Sequence, residues 1–230
     1  MSSGKITLLL DSSASPLLVA AQNGDKVFAA RRKGIKQEKL LFPLLDKLLQ
    51  KAGGSLQEVG RVFIVRGPGR FTGIRIALTF ASMMQYLNHC EVLGATLFEI
   101  LHFQVLRSRA FAQWKKKNPN GAIGVILHAF REEYFLQIFS PQGEAPLWLS
   151  REELVARLNK ADRPLYLVGS DKDGATLEAM VGERFSVAPH KDGVVQPATL
   201  VQMAADQQWR AQALEPLYLK PARFELVAPK

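Results

Sequence analysis

The sequence predicts an α/β protein built on mixed sheet with helices on its faces. Three observations carry that prediction. The chain opens with three short strand-like runs, two of them joined by a hairpin signal, so the first strands run in meander order. The apolar repeat then changes from a continuous run to a spacing of three and four residues, which is the period of a helix. Thereafter strand-like and helix-like runs alternate in the order β-β-β-α-β-α-β-α, a pattern that puts helices against a sheet.

Each element follows in turn. Residues 5–10, Lys-Ile-Thr-Leu-Leu-Leu, read as a buried strand because the apolar run is continuous. Residues 17–21 and 26–30 read as two more strands, and Asn23-Gly24-Asp25 between them favours a tight hairpin. Leu40, Leu41, Leu44, Leu45, Leu48 and Leu49 mark an amphipathic helix over about 37–52, closed by Gly53-Gly54. Residues 62–65 are a short buried strand. The loop Gly67-Pro68-Gly69-Arg70-Phe71-Thr72-Gly73 follows, and a second helix is expected over about 73–88. Residues 91–93 read as a strand and 97–107 as a helix. The polar, lysine-rich segment 113–121 reads as a connector and is the best boundary candidate. Beyond it, 123–127 and 134–139 read as strands, with a turn at Pro141-Gln142-Gly143. A helix is expected over 152–158, capped by Ser150. A strand over 165–168 ends at Gly169, and a last helix is expected over 198–213. No repeat of solenoid length is present, yet the two halves read as distant copies, each a strand set followed by helices.

Bulk composition narrows the class. The 230 residues are 47% hydrophobic and 22% charged, the profile of an ordinary globular protein. A chain of that length buries about 70% of its unfolded surface and needs no metal or disulfide to hold it together. Cys90 is the single cysteine, which excludes an intrachain disulfide and suits a reducing compartment. The start of the chain lacks the pattern of a secretory signal, and no segment reaches the roughly 18 apolar residues of a membrane span. A cytoplasmic protein is the expectation. The formal net charge of +9 favours a polyanion or an acidic partner, or simply keeps the protein soluble.

Several segments could carry chemistry. Asp11-Ser12-Ser13-Ala14-Ser15 stands at a strand end, where a carboxylate and small hydroxyl residues can hold a metal-bound phosphate or can simply satisfy a tight turn. The loop from Gly67 to Gly73 leads from a strand into a helix, a context that aims NH groups at an anion. It lacks the Lys-Ser/Thr of a P-loop, and a structural reading is equally open: Gly67 and Gly69 allow a sharp reversal, and Thr72 caps the helix. His89, His102, His128 and His190 form no spaced pair, so a zinc site is not expected. Glu132 and Glu133 are adjacent on a strand and point to opposite faces. Trp114-Lys115-Lys116-Lys117 could touch RNA or form a solvated loop. Both long helices are apolar over more than one face, so one face suits the sheet and the remainder suits a partner helix or a second internal contact.

Together these segments resemble the TsaB (YeaZ) family. Leu8-Leu9-Leu10-Asp11-Ser12-Ser13-Ala14-Ser15 is similar to the family's opening L-x-I-D-T-S-T. The segment Gly67-Pro68-Gly69-Arg70-Phe71-Thr72-Gly73-Ile74-Arg75-Ile76-Ala77 resembles its diagnostic G-P-G-S-F-T-G-L-R-I-G, and Pro216-Leu217-Tyr218-Leu219-Lys220 resembles its P-x-Y-L-R ending. The resemblance implies the actin-like, Hsp70-like and sugar-kinase-like ATPase fold in two lobes. The first lobe would span 1–110, with a C-terminal helix over about 197–214 packing back on it, and a second, smaller lobe would span 111–196. It implies a non-catalytic subunit that binds and activates the paralogue TsaD for threonylcarbamoyl transfer to the adenosine next to the anticodon in tRNA. TsaE would join indirectly, tRNA would be met indirectly or weakly, and a homodimer is the other pairing. No catalytic residue and no metal ligand is implied. A degenerate nucleotide or phosphate site is implied at Asp11, Ser12, Ser13, Gly67, Gly69, Thr72 and Gly73, requiring no cofactor but compatible with weak ATP or ADP and magnesium. The partner face is implied at Leu41, Leu44, Leu45, Leu48, Ile76, Phe80, Met83, Met84 and Leu87. An ATPase or kinase-like enzyme of the same fold is the alternative. The chain departs from the family at Lys36-Gln37-Glu38, where His-Ser-Glu is usual, and at His128-Ala129-Phe130, where Asp-Ala-Arg is usual. Arg70 replaces the loop serine and Ala77 a glycine.

Overall fold

A computed structural model describes residues 5–34, 36–141, 143–170, 177–209 and 214–220. The chain divides into two compact units, Met1–Leu97 with Pro197–Leu217, and Phe98–Gln196 with Tyr218–Lys230. The division falls between Leu97 and Phe98, at the start of the helix at 97–106, whereas the resemblance places it after residue 110.

The first unit is a five-stranded sheet in the order β3-β2-β1-β4-β5, with β1 Ile6–Asp11, β2 Leu17–Asn23, β3 Lys26–Arg32, β4 Val59–Val65 and β5 Glu91–Ala95. β1 pairs antiparallel with β2 and parallel with β4. As the central strand it is covered on both faces, which is why its sequence is a continuous apolar run rather than an alternation. Asn23 pairs with Lys26, so Gly24-Asp25 forms a two-residue hairpin with Gly24 at φ +57°. β3 lies at the edge, largely exposed, and its Lys26, Arg31 and Arg32 are residues that discourage edge-to-edge pairing.

Two helices cover one face. α1 Gln37–Lys51 packs on β2, and α2 Phe71–Asn88 packs on β4. Leu41, Leu44, Leu45, Leu48 and Leu49 meet Leu8, Leu10, Val19 and Ile64 in the core there. Leu9, Leu18, Ala20 and Phe63 alternate with those strand residues and are fully buried on the opposite face. That face takes α7 Pro197–Ala204, which packs on β1, β2 and β4 and buries Leu200 and Met203 completely. α2 begins two residues earlier than the glycine pattern suggests. Arg70 holds the extended N-cap position, so Thr72 lies exposed in the first turn and does not cap the helix. α7 is shorter than the expected 198–213. It ends before Asp206, whose carboxylate accepts the Gln208 amide (3.1 Å) and favours a local turn. Residues 210–213 lie outside the described residues.

The second unit repeats the same sheet. Its order is β10-β9-β6-β7-β8, with β6 Ala122–Phe130, β7 Glu133–Phe139, β8 Leu147–Ser150, β9 Leu165–Ser170 and β10 Ser186–Val187. β6 pairs antiparallel with β7 and parallel with β9, as β1 does with β2 and β4. The two halves are therefore copies in topology. α5 Arg151–Asn159 packs on β7 and β8 and buries Leu154 and Leu158. Ser150 caps it as the sequence predicts, and Glu153 completes a capping box. β8, β10 and the one-turn α6 Glu178–Val181 are too short to show a period.

The polar segment 113–121 is not a connector. Most of it belongs to α4 Arg109–Lys117, which follows α3 Leu97–Leu106. Ser108 caps α4 by accepting the Phe111 amide (3.1 Å). Phe111 and Trp114, three residues apart, share one helix face and pack on Tyr166 of β9. The three lysines fall in the last turn, where cations suit the negative end of the helix dipole. The buried side chain of Gln104 ties α3 to the segment after β10. It donates to the carbonyls of Asp192 (2.8 Å) and Val194 (3.1 Å) and accepts the Gln196 amide (3.0 Å).

Candidate functional site

The turn at the end of β1 and the glycine loop after β4 lie against each other in the first unit. The Asp11 carboxylate accepts two bonds from Ser13, from its amide (3.0 Å) and its hydroxyl (2.6 Å). The Ser12 hydroxyl donates to the carbonyl of Gly73 (2.7 Å), and the Arg70 amide donates to the carbonyl of Ser13 (2.6 Å). Asp11, Ser12 and Ser13 are all buried. Burial pushes the Asp11 carboxyl up, while the two Ser13 bonds and the charge of Arg31 act against it.

This contact explains the glycines. A Cβ on Gly73 would overlap the Ser12 carbonyl oxygen, and a Cβ on Gly69 would overlap that of Ser13. Gly67 has φ +109°, and its carbonyl accepts the Leu97 amide (2.6 Å). A phosphate seat needs NH donors facing open space. Here carbonyl oxygens fill the space beside two of the glycines, and Asp11 is turned to Ser13. In this arrangement the residues fit a clasp between two backbone segments and do not fit a magnesium-bound phosphate. Gln37, where the family resemblance expects another residue, extends the clasp to α1. Its Nε2 donates to the Ala14 carbonyl (2.7 Å), while its buried Oε1 has no hydrogen-bond partner among the described residues.

The other polar candidates do not converge. His89 ends α2 at φ +52°. His102 stacks on Phe139 at 4.0 Å, and burial lowers its pKa to about 4. His128 bonds the Arg131 carbonyl (2.7 Å) through Nε2, and His190 lies in a short 3-10 turn. Glu132 pairs with Arg151 (3.2 Å) and Glu133 with Lys220. Among the described residues no group of three metal-ligating side chains occurs. Cys90 is buried, and desolvation raises its thiol to about 11.

The second feature is a groove of about 430 Å³ between α1 and α2. Phe42, Phe71, Ile76 and Met83 line it, and beyond it Tyr86 is 80% and Leu87 62% exposed. Phe42 meets Phe80 edge to face (6.2 Å), and the Arg75 guanidinium lies 4.2 Å from the Phe71 ring centre. The partner face expected from the resemblance is corrected here in part. Leu44, Leu45, Leu48 and Met84 are at most 5% exposed and belong to the core under the two helices, whereas Leu41 and Phe80, equally buried, also line the groove. Ile76, Met83 and Leu87 do reach the surface. Tyr86, one of the apolar residues of α2, joins them, as do Phe42 of α1 and Phe71, which escaped the sequence reading. The signal for Phe71 was a second stripe on α2, Phe71, Arg75, Thr79 and Met83 at spacings of four, offset from the buried stripe Ile74, Ala77, Ala81 and Met84.

Two sheets of one topology, each antiparallel on one side of its central strand and parallel on the other, define a two-unit α/β protein with the fold of YeaZ. The solved structure of YeaZ from Pseudomonas aeruginosa superposes with a TM-score of 0.66 at 19% identity, covering 94% of this chain and 100% of that one. A family model described as TsaD, tRNA N6-adenosine threonylcarbamoyltransferase, matches residues 35–138. The tRNA threonylcarbamoyladenosine biosynthesis protein TsaB of Bacillus subtilis (strain 168) is 22% identical over 228 residues, 95% of each chain. Its counterpart in Buchnera aphidicola subsp. Schizaphis graminum is 27% identical over 126 residues, which is 53% of this chain and 58% of that relative's length. These likenesses agree with the resemblance of the chain to the TsaB (YeaZ) family.

Proposed function

We propose that this chain is a non-catalytic scaffold subunit in the biosynthesis of threonylcarbamoyladenosine in tRNA, binding and activating the catalytic paralogue TsaD. The observation that carries the reading is the apolar groove between α1 and α2. An exposed face with Phe42, Phe71, Met83, Tyr86 and Leu87 is larger in apolar character than a monomer's solvent face needs, and such faces mark protein contacts. The clasp at Asp11 supports a supporting role over a chemical one, since its hydroxyls and carboxylate are used to join backbone segments. TsaE would then meet the complex through TsaD, and a homodimer through the same face is the competing pairing. The expected place of work is the cytoplasm, with the tRNA.

The test is to mix the purified chain with the TsaD of the same organism and measure mass by light scattering after size exclusion. A one-to-one complex is expected. Separate elution of the two, with and without tRNA and ATP, defeats the reading. No nucleotide is required in this proposal, so magnesium-ATP is expected to leave the melting temperature of the chain unchanged. A rise that Asp11→Ala removes would instead favour the enzyme reading.

A further inference from the structure

One hollow in the second unit is not used by the function proposed above. It is a cleft of about 910 Å³ with α4 on one side and the β9 and β10 strands with the loop before β9 on the other. Trp114 lines it, half-buried and backed by Tyr166 (ring centres 5.2 Å apart) and Phe111 (5.8 Å). Lys117, Arg163 and Arg184 stand around it. Two further hollows, of about 560 and 400 Å³, adjoin it at Asp162 and Arg163, one bordered by Lys115, the other by Arg157 and Lys160.

The charges along this track do not cancel. Its acidic residues are Asp162, held by Arg163 (2.9 Å), and Glu144, held by Arg157 (2.5 Å). Lys115 donates to the Gly121 carbonyl (2.7 Å) and Arg184 to the Asn159 side-chain oxygen (2.9 Å), both neutral acceptors. Lys117 and Lys160 are exposed. Positive charge therefore remains along three connected hollows, beside the rings of Trp114, Tyr166 and Phe185 and the amides of Gln113 and Asn118, with the Arg184 guanidinium 5.8 Å from the Phe185 ring centre. A single acidic side chain needs one cation. A run of spaced cations with a flat ring suits a repeating anion that carries flat groups, which is the chemistry of a nucleic acid strand.

We propose that this cleft binds RNA, with Lys117, Lys160 and Arg184 on the phosphates and Trp114 as the platform for one unpaired base. The proposal rests on the tRNA reading above for the identity of the strand. It differs from that reading in placing a direct contact on this chain rather than on its partner.

The test is a fluorescence-anisotropy titration of a labelled tRNA transcript with the purified full chain, repeated at several salt concentrations. The surface variant Lys117→Glu with Arg184→Glu is expected to weaken binding at least tenfold at about 50 mM salt and to lower the slope of log K against log salt by about 2. Trp114→Leu is expected to weaken it about five- to hundredfold at unchanged slope, with its melting temperature checked because the ring packs on Tyr166. Binding by the double variant equal to that of the unaltered chain overturns the proposal. So does absence of tRNA binding by the unaltered chain at low salt. Displacement of tRNA by polyglutamate at equal charge also overturns it and assigns the cleft to an acidic protein. Co-elution with TsaD is measured on the same samples. Loss of that complex alone defeats the scaffold reading and leaves the cleft, and an intact complex with unchanged tRNA binding does the reverse.

Discussion

At the scale of single residues, the contact between Ser12 and Gly73 and the ring of His102 give the sharpest expectations. Gly73→Ala drives a methyl group into the Ser12 carbonyl and should cost about 1–3 kcal/mol, read from urea unfolding. A cost near zero would mean that the turn and the loop are not clasped. His102 is held neutral by burial against Phe139, with its pKa near 4 rather than the usual 6.5. The unfolded chain takes up a proton below about pH 6.5 that the folded state refuses until about pH 4. Folding stability is therefore lost as pH falls through that window. His102→Phe keeps a stacked ring without the proton, so its melting temperature should fall less than that of the unaltered chain between pH 7 and pH 5. Equal falls would remove His102 as a cause. Asp11 and the glycines were legible as one site because strand ends and turn residues show in sequence. That they close on each other was not, because the closing bonds run between Ser12 and Gly73, 61 residues apart.

At the scale of elements, the strands and long helices showed in the sequence wherever the apolar period lasted more than one turn or one hairpin. The leucines of α1 gave that helix in spite of Pro43, which lies on its exposed side. α4 was hidden by its own composition, since only Phe111 and Trp114 carry its apolar face and the lysine run dominates the reading. The cap of α5 was legible because a capping box is a local pattern. Ser150→Ala should destabilise the protein by about 1 kcal/mol, through loss of its bond to the Glu153 amide (3.2 Å). Ser150→Asp, which can also cap, should recover most of that in the same unfolding measurement. Failure of Asp to do so would show that packing of β8, not the cap, sets the value.

At the scale of the whole molecule, two stripes on α2 separate folding from association. Leu45→Ala opens a cavity under α1 and should cost about 2–5 kcal/mol. Met83→Asp with Tyr86→Asp alters the exposed apolar surface of α2 and should abolish the proposed complex with TsaD while leaving the melting temperature within a few degrees. A folded double variant that still pairs would move the interface elsewhere. The distinction was hard to read in sequence because both stripes carry large apolar residues, Phe71 and Met83 on one and Ile74 and Met84 on the other, and only the sheet decides which of them is covered. The duplicated sheet has a further consequence through the path of the chain. The second unit is nearly continuous from residue 98 to 196, whereas the first needs α7, supplied after residue 196, to cover the far face of β1, β2 and β4. During synthesis on the ribosome the first hundred residues thus emerge with Leu9, Leu18 and Phe63 uncovered and wait through the making of another hundred. The later half of the chain has what it needs to close almost as soon as it appears, and the earlier half is the natural client of a chaperone.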